Sequence, residues 1–337
     1  MCLSIIIPVY NVAEYLPKCL DSLVCQDLTD CEILLIDDGS TDGRSGAICD
    51  EYADKYPMLI RVIHQENGGL GAARNAGLAI AVGEYVLFID SDDYVAPQMI
   101  DTLRPQMERG TDIVFFGFLI VQNNEVVSLP SYERCRSAVC LEEAPERLLE
   151  TPSAWNKLWK RSLFTDNGIW FPPRLWYEDM ATTPKLLACA ETIASIPDDL
   201  YFYVLRDGSI TRNRNVRRNL EIITAMRESV DWFRTAGLFD RYHKEFEALT
   251  VRNVLLDASV RVLKMEGTGE ERERTEVLKE LRRFTDRTFP DWPRNPYRKE
   301  LPFKRRVVLV LLRLRCFRAV RLIFRLSDRR RKGEYKI

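Results

Sequence analysis

With 337 residues, 46% of them hydrophobic and 29% charged, the chain has the length for two domains and the apolar content of a folded protein, which excludes collagen-like, mucin-like and mini-protein classes. The formal net charge of −1 hides an asymmetry: residues 301–337 hold 13 Lys/Arg and 2 Asp/Glu, so an acidic body of −12 precedes a basic tail of +11. Nine cysteines without a Cys-x-x-Cys pair, and only two histidines, speak against a zinc site or a disulfide framework and predict a reducing cytoplasm.

Met1-Cys2 runs directly into a strand-like Leu3–Val9, with no basic and apolar leader. Further short runs rich in Ile, Val and Phe follow at Ile33–Ile36, Ile60–Ile63, Tyr85–Ile89 and Ile113–Phe118, as expected of strands buried on both faces. Between them Val12–Cys25, Gly43–Tyr56, Leu70–Val82 and Pro97–Arg109 are long enough for crossover helices. This alternation predicts a doubly wound, mostly parallel α/β sheet, with ligands beyond the carboxyl ends of its strands. Residues 119–213 are less regular and contain Trp155, Trp159, Trp170 and Trp176. Residues 214–288 read as polar helices, with Leu220, Ile223, Val230 and Phe233 at three-to-four spacing. A Pro-rich linker over 289–300 leads to the basic tail, and no apolar run approaches the roughly 18 residues of a spanning helix.

The strand ends carry the chemistry. The first ends in Pro8-Val9-Tyr10-Asn11, the second in Asp37-Asp38-Gly39-Ser40-Thr41-Asp42, and the fourth in Asp90-Ser91-Asp92-Asp93. Each acidic motif alone also reads as a turn or helix cap. Together they crowd carboxylates that repel unless a cation or hydrogen-bond donors compensate them, and a hard divalent ion such as Mg²⁺ or Mn²⁺ would do so. Asn67-Gly68-Gly69-Leu70-Gly71-Ala72-Ala73-Arg74-Asn75-Ala76-Gly77 after the third strand supplies glycines and a cation, but its third dinucleotide-motif glycine is replaced and its position is wrong for a Rossmann dehydrogenase.

Four motifs in this order resemble the family 2, GT-A-fold inverting glycosyltransferases: Ser4 to Asn11, Asp37 to Asp42, Asn67 to Gly77, and Asp90 to Asp93. The likeness covers roughly residues 1–210, with Trp155 to Trp159, Tyr177 to Met180 and Tyr203 to Thr211 also matching family motifs. It implies a GT-A domain over 1–213, divided into a nucleotide-sugar half (1–118) and an acceptor half (119–213). It further implies that Pro8, Tyr10 and Asp38 line the base pocket, that Arg74 lies near base or phosphates, and that Asp90 and Ser91 face the ribose or diphosphate. Asp92 would ligate Mn²⁺ or Mg²⁺. The chemistry agrees: Tyr10 offers a stacking face, Asp38 can accept from a base imide, and Asp92 is an anionic oxygen donor. Inverting transfer needs one base at the acceptor hydroxyl, and the resemblance puts Asp179 ahead of Glu178 in that role. Trp176 is a candidate acceptor contact, Arg206 and Ser209 are candidate diphosphate contacts, and Trp155 and Trp159, four residues apart, read as core residues on one helix face.

From Arg315 onward Arg315, Arg318, Arg321, Arg325 and Arg329 fall on one helical face, with Leu312, Cys316, Ala319, Ile323 and Leu326 opposite. Such a helix suits an anionic membrane surface; docking on an acidic protein surface is a second reading, and nucleic acid lacks the interleaved aromatic residues. The functional expectation is metal-dependent inverting transfer from a nucleotide-sugar, a UDP-sugar by preference, to a glycan or lipid-linked acceptor in cell-envelope polysaccharide synthesis, at the inner face of the membrane. A sugar-1-phosphate nucleotidyltransferase, whose glycine-rich first loop is missing here, and a non-catalytic membrane scaffold are the alternatives.

Overall fold

The computed structural model describes residues 2–123, 125–128, 136–206, 215–265 and 271–324. The chain divides into two compact units: residues 1–147 with 151–211, and residues 148–150 with 212–337.

The first unit is built on a 10-stranded sheet whose main path runs β3-β2-β1-β4-β9-β6-β10-β5. Its first half follows the sequence pattern. Strands β1 (Leu3–Val9), β2 (Cys31–Asp37), β3 (Ile60–His64) and β4 (Tyr85–Phe88) pair in parallel. All seven residues of β1 and of β2 are buried, which accounts for the apolar runs Ile5–Ile7 and Ile33–Ile36 within them. The crossover helices are α1 (Leu16–Val24), α2 (Ser45–Lys55) and α3 (Leu70–Ile80). Helix α1 has Pro17 in its first turn and buries Leu16, Cys19, Leu20 and Leu23 at one-turn spacing.

The second half is mixed. After β5 (Tyr94–Val95) and α4 (Met99–Glu108), β6 (Ile113–Gln122) pairs in parallel with β10 (Ile193–Val204) and antiparallel with β7 (Glu125–Ser128) and β9 (Lys157–Lys160). Strand β8 (Arg136–Val139) and β5 flank β10 antiparallel, and β9 joins β4 to β6 antiparallel on both sides. Parallel pairing therefore dominates only around β1. Trp155 and Trp159 are core residues as expected, at 9% and 0% exposure, but they lie before and on β9 and not on a helix. A helical spacing of four also satisfies a loop residue followed by an inward strand position when the ring packs in place, as Trp155 does against Tyr201 and Phe118.

The second unit is helical: α7 (Glu221–Thr235), α8 (His243–Thr250), α9 (Ser259–Lys264), α10 (Glu271–Thr288) and α11 (Phe303–Arg313), with a π-helical stretch Val251–Ala258 joining α8 to α9. The short α5 (Ser162–Thr165) and α6 (Glu178–Cys189) belong to the first unit. Residues 289–300 are not an open linker. Phe289, Trp292, Asn295 and Leu301 are buried, Asn295 donates to the Lys244 carbonyl and to Glu247, and two short 3₁₀ turns carry the chain. The prolines mark these turns and do not mark a spacer.

The tail also departs from the single helix predicted. Helix α11 buries Val308, Leu309 and Leu312 in its own unit, where Arg305 pairs with Asp257 at 3.1 Å and Arg282 donates to the Arg313 carbonyl. Arg315, at φ 59, interrupts the helix before a second helical stretch at 317–324. Of the predicted apolar face, Leu312 is buried while Cys316 is exposed. Arg325, Leu326 and Arg329 lie outside the described residues. No described helix is long and apolar enough to cross a membrane.

Candidate active site

The strand ends of β1, β2 and β4 come together as the parallel order requires, but their acidic motifs are held in two different ways. At the end of β2, Asp37 accepts from the Ser40 backbone N–H at 3.0 Å and bonds His64 Nδ1 at 2.8 Å. His64, at the end of β3, also bonds Asp50, and these two hydrogen bonds raise its pKa against the opposing effect of burial. Asp38 is 3% exposed, and its carboxylate accepts from the backbone N–H of Gly68 and Gly69, both at 2.8 Å, and from Gln65 Nε2 at 2.7 Å. The residue expected to accept from a nucleotide base is thus occupied in setting the Gln65–Gly69 loop. Pro8 and Ser91 are buried as well, whereas Tyr10, the candidate stacking residue, is 47% exposed. Asn11, in the left-handed region, ties β1 to the next loop by accepting from the Thr41 and Asp42 backbones.

The glycine-rich segment does not lie open for phosphates; it clamps the chain that leads to Glu178-Asp179. Gly69 has φ +86, and a Cβ there would meet the Arg174 backbone at 3.3 Å; a Cβ on Gly71 would meet the Pro172 carbonyl at 2.6 Å. Asn75 exchanges hydrogen bonds with the Phe171 backbone in both directions, and Arg174 donates to the Asn67 carbonyl. Asn75 was visible in the motif but carried no assigned role.

Arg74 completes the clamp. It is 2% exposed. One guanidinium nitrogen donates to Glu178 Oε1 at 2.5 Å and another to Asp90 Oδ1 at 2.9 Å, while the group lies 5.3 Å from the Phe171 ring centre. Burial alone would lower its pKa, but the carboxylates of Asp90, Glu178 and Asp179 raise it, so it stays charged. Burial pushes Glu178 up to about 7, with Asp179 adding to the rise and Arg74 opposing it. Burial also raises Asp90.

Each carboxylate at the end of β4 has its own partner. Asp93, 2% exposed, accepts from the Tyr201 hydroxyl and the Val204 backbone N–H, both at 2.7 Å, and so anchors the motif to β10. Burial drives its pKa well up, helped by Asp92 and Asp90. Asp93 belongs to the acidic motif read from the sequence, but its partner Tyr201 carried no assigned role, since the contact spans 108 positions. Asp92 accepts from Arg206 Nε at 2.5 Å, and the Arg206 guanidinium also lies 5.1 Å from the Tyr15 ring centre. Arg206 therefore sits on the predicted metal ligand. Ser209 lies outside the described residues.

Among the described residues no three His, Cys, Asp or Glu side chains are arranged to hold an ion by themselves. Asp92, with 21% of its side chain exposed beside Asp90, nevertheless fits an ion held by one or two carboxylates and completed by phosphates and water.

Helix α6 begins at Glu178 after Tyr177, whose φ of 70 turns the chain sharply into the helix. The left-handed turn places both acids in the first helical turn, where the dipole favours negative charge. Glu178 is buried on Arg74; Asp179 is partly exposed, with Oδ1 accepting from the Met180 backbone N–H at 2.7 Å. Trp176, just before, is also partly exposed. One strut, Arg74, thus joins Asp90, beyond the end of β4, to Glu178 at the start of α6, the latter contact spanning 104 positions of sequence.

Comparison with known proteins identifies the family. Residues 4–163 match the model of glycosyl transferase family 2. The uncharacterized glycosyltransferase EpsJ of Bacillus subtilis is 36% identical over 216 residues, 62% of each chain, and the glycosyltransferase GlyG of Streptococcus pneumoniae is 34% identical over 226 residues, 62% of this chain and 73% of that one. Staphylococcus aureus TarS, a poly(ribitol-phosphate) beta-N-acetylglucosaminyltransferase, is 31% identical over 60% of this chain and 35% of its own length. The crystal structure of TarS residues 1–349 in complex with UDP covers 97% of this chain and 92% of that one at a TM-score of 0.69 and 24% identity, a likeness of fold; the same portion is also known with UDP-GlcNAc. With motif order, sheet topology and relatives in agreement, this chain belongs to glycosyl transferase family 2.

Proposed function

We propose that the protein is a metal-dependent inverting glycosyltransferase, moving a hexosyl or N-acetylhexosaminyl group from a UDP-sugar to a hydroxyl of a glycan or lipid-linked acceptor of the cell envelope. The observation that carries this reading is the Arg74 strut, which fixes Asp90 relative to Glu178 and so relates a diphosphate-side carboxylate to a base at the head of α6. The TarS complexes with UDP and UDP-GlcNAc support the donor class, and the poly(ribitol-phosphate) named as the polymer that TarS modifies supports an acceptor chain bearing phosphates.

Tyr10 stacks on the base. Asp92, with Asp90, would hold Mn²⁺ or Mg²⁺, which when bound neutralises the charge of the departing diphosphate. Asp179 accepts the proton of the attacking hydroxyl on the face opposite that diphosphate. Glu178, buried on a guanidinium, orients α6 and leaves the base role to its more exposed neighbour. Arg206 moves from Asp92 to the diphosphate when the donor binds.

Attachment to an anionic membrane is part of the proposal, on a surface different from the one the sequence suggested. Phe303, Val310, Leu314 and Leu322 are 75%, 47%, 64% and 57% exposed amid exposed Lys304, Arg306, Arg313, Arg315 and Arg318. Because α11 packs into its unit, point changes are better probes than truncation: Phe303→Ser with Leu314→Ser and Leu322→Ser abolishes co-sedimentation with anionic vesicles and leaves the fold intact.

The test of the donor is a thermal-shift panel of UDP-, GDP- and dTDP-sugars with Mn²⁺. A ligand that binds only the native state raises Tm by mass action, and a UDP-sugar is expected to do so. Absence of a shift with every nucleotide-sugar overturns the reading.

A further inference from the structure

The second unit contains a concave groove of about 540 Å³ between α7 and α10 that the transfer reaction does not use. Its floor is apolar, formed by Ile223, Val230 and Phe284, all buried. Its walls are basic: Arg227 and Arg234 come from α7, Arg283 and Arg287 from α10, against only two carboxylates, Asp231 and Glu280. Arg234 pairs with Asp231 at 3.1 Å. Arg227, Arg283 and Arg287 are exposed and lie within ion-pairing distance of no carboxylate among the described residues.

A solvated helix face does not require this arrangement. Arg283 and Arg287 are one turn apart, where like charges destabilise a helix, and α10 offers a better alternative in its own Glu276–Lys279 pair. Arg227 is held against the Phe284 ring, 5.3 Å from its centre, so its guanidinium is steadied at the groove wall without being neutralised. Planar guanidinium forks facing one another across a groove suit phosphate groups, which they can grip in bidentate fashion, and the apolar floor suits the carbon face of a sugar or polyol.

We infer that this groove binds a chain carrying phosphodiesters between sugar or polyol units, holding a polymeric acceptor on the second unit. The groove's affinity for such a chain stands by itself; that the chain is the acceptor rests on the transfer reaction proposed above. A bilayer is the poorer occupant. Interfacial binding needs apolar side chains that enter the membrane, and among the described residues of this unit the exposed large apolar ones are Phe303, Val310, Leu314 and Leu322, none of which lines the groove.

The experiment measures binding of the full chain, by fluorescence anisotropy, to a labelled phosphodiester-linked polyol of about ten repeats, with an uncharged glycan of equal length and phosphatidylglycerol vesicles as the comparison probes. The phosphodiester chain binds and the neutral glycan does not. Arg227→Glu with Arg283→Glu and Arg287→Glu weakens binding at least about tenfold, whereas the corresponding triple Lys variant, which keeps the charge but not the fork, falls between that variant and the natural protein. The UDP-sugar thermal shift is unchanged in both variants, which separates this result from a failure of the donor reading. Equal binding of the neutral glycan overturns the inference, as does full affinity in the triple Glu variant. Groove-dependent binding of vesicles in place of the soluble chain overturns it too.

Discussion

The acidic ends of β2 and β4 look alike in sequence, Asp37-Asp38 against Asp90-Ser91-Asp92, yet they are satisfied by different chemistry. Asp38 receives two backbone N–H groups and an amide, donors that cannot leave without unfolding the loop. Asp90 and Asp92 receive guanidinium groups, and the one on Asp92 belongs to Arg206, which is proposed above to pass to the diphosphate. A carboxylate held by the backbone shapes a site, whereas a carboxylate held by a movable cation can exchange that cation for another. The second kind is the one to look for where a metal and a diphosphate must enter.

Arg74→Ala breaks this comparison most severely, because it strands the buried Glu178 and takes the partner from the half-buried Asp90. Loss of one partner from a buried ion pair costs about 3–5 kcal/mol, read as a fall in urea-unfolding free energy, and Arg74→Lys restores only part of it. Asp38→Ala leaves the loop donors unsatisfied and should cost about 1–3 kcal/mol by the same measurement. An unchanged midpoint in Asp38→Ala would mean that the Gln65–Gly69 loop does not depend on it.

Arg206→Ala sharpens the contrast without a large stability change. With its competitor removed, Asp92 binds Mn²⁺ severalfold more tightly in the absence of nucleotide, as followed by the electron paramagnetic resonance of the free ion; weaker binding contradicts exchange between cation and metal. The smallest effect belongs to His64. Its pKa is raised above the usual ~6.5 by Asp37 and Asp50, so its contribution to stability is complete below that value and is lost as pH rises through the folded-state pKa. His64→Gln flattens the dependence of Tm on pH above about pH 6.5, where the natural protein loses this contribution.

These contrasts also show what could be read in advance. Strands β1, β2 and β4 were legible because burial on both faces favours short apolar runs, and β3 because of its Ile60, Val62 and Ile63. Strand β9, Lys-Leu-Trp-Lys, is too short to show a pattern, and β10 carries Pro197-Asp198-Asp199 in its middle, a turn signal that the sheet absorbs as register shifts between Ser195 and Tyr201. In the site, residue types at the strand ends were readable, but their partners were not. Nothing local indicates that Arg74 meets Glu178 or that Arg206 meets Asp92, since both contacts depend on how the mixed half of the sheet folds back. The tail left membrane and protein docking both open in the sequence because amphipathicity alone does not reveal which apolar face is already covered, as that of α11 is.

The central claim is that Asp179 takes the proton of the acceptor hydroxyl while the Arg74 strut holds Glu178 in a supporting place. Asp179→Asn and Glu178→Gln, each measured for UDP-sugar affinity and for sugar transfer with Mn²⁺ present, test it directly. Asp179→Asn should bind donor as the natural protein does while transfer falls by about 10²–10⁴-fold, the usual contribution of a positioned base, with Glu178→Gln losing less. Transfer that survives in Asp179→Asn, or a larger loss in Glu178→Gln, contradicts the account.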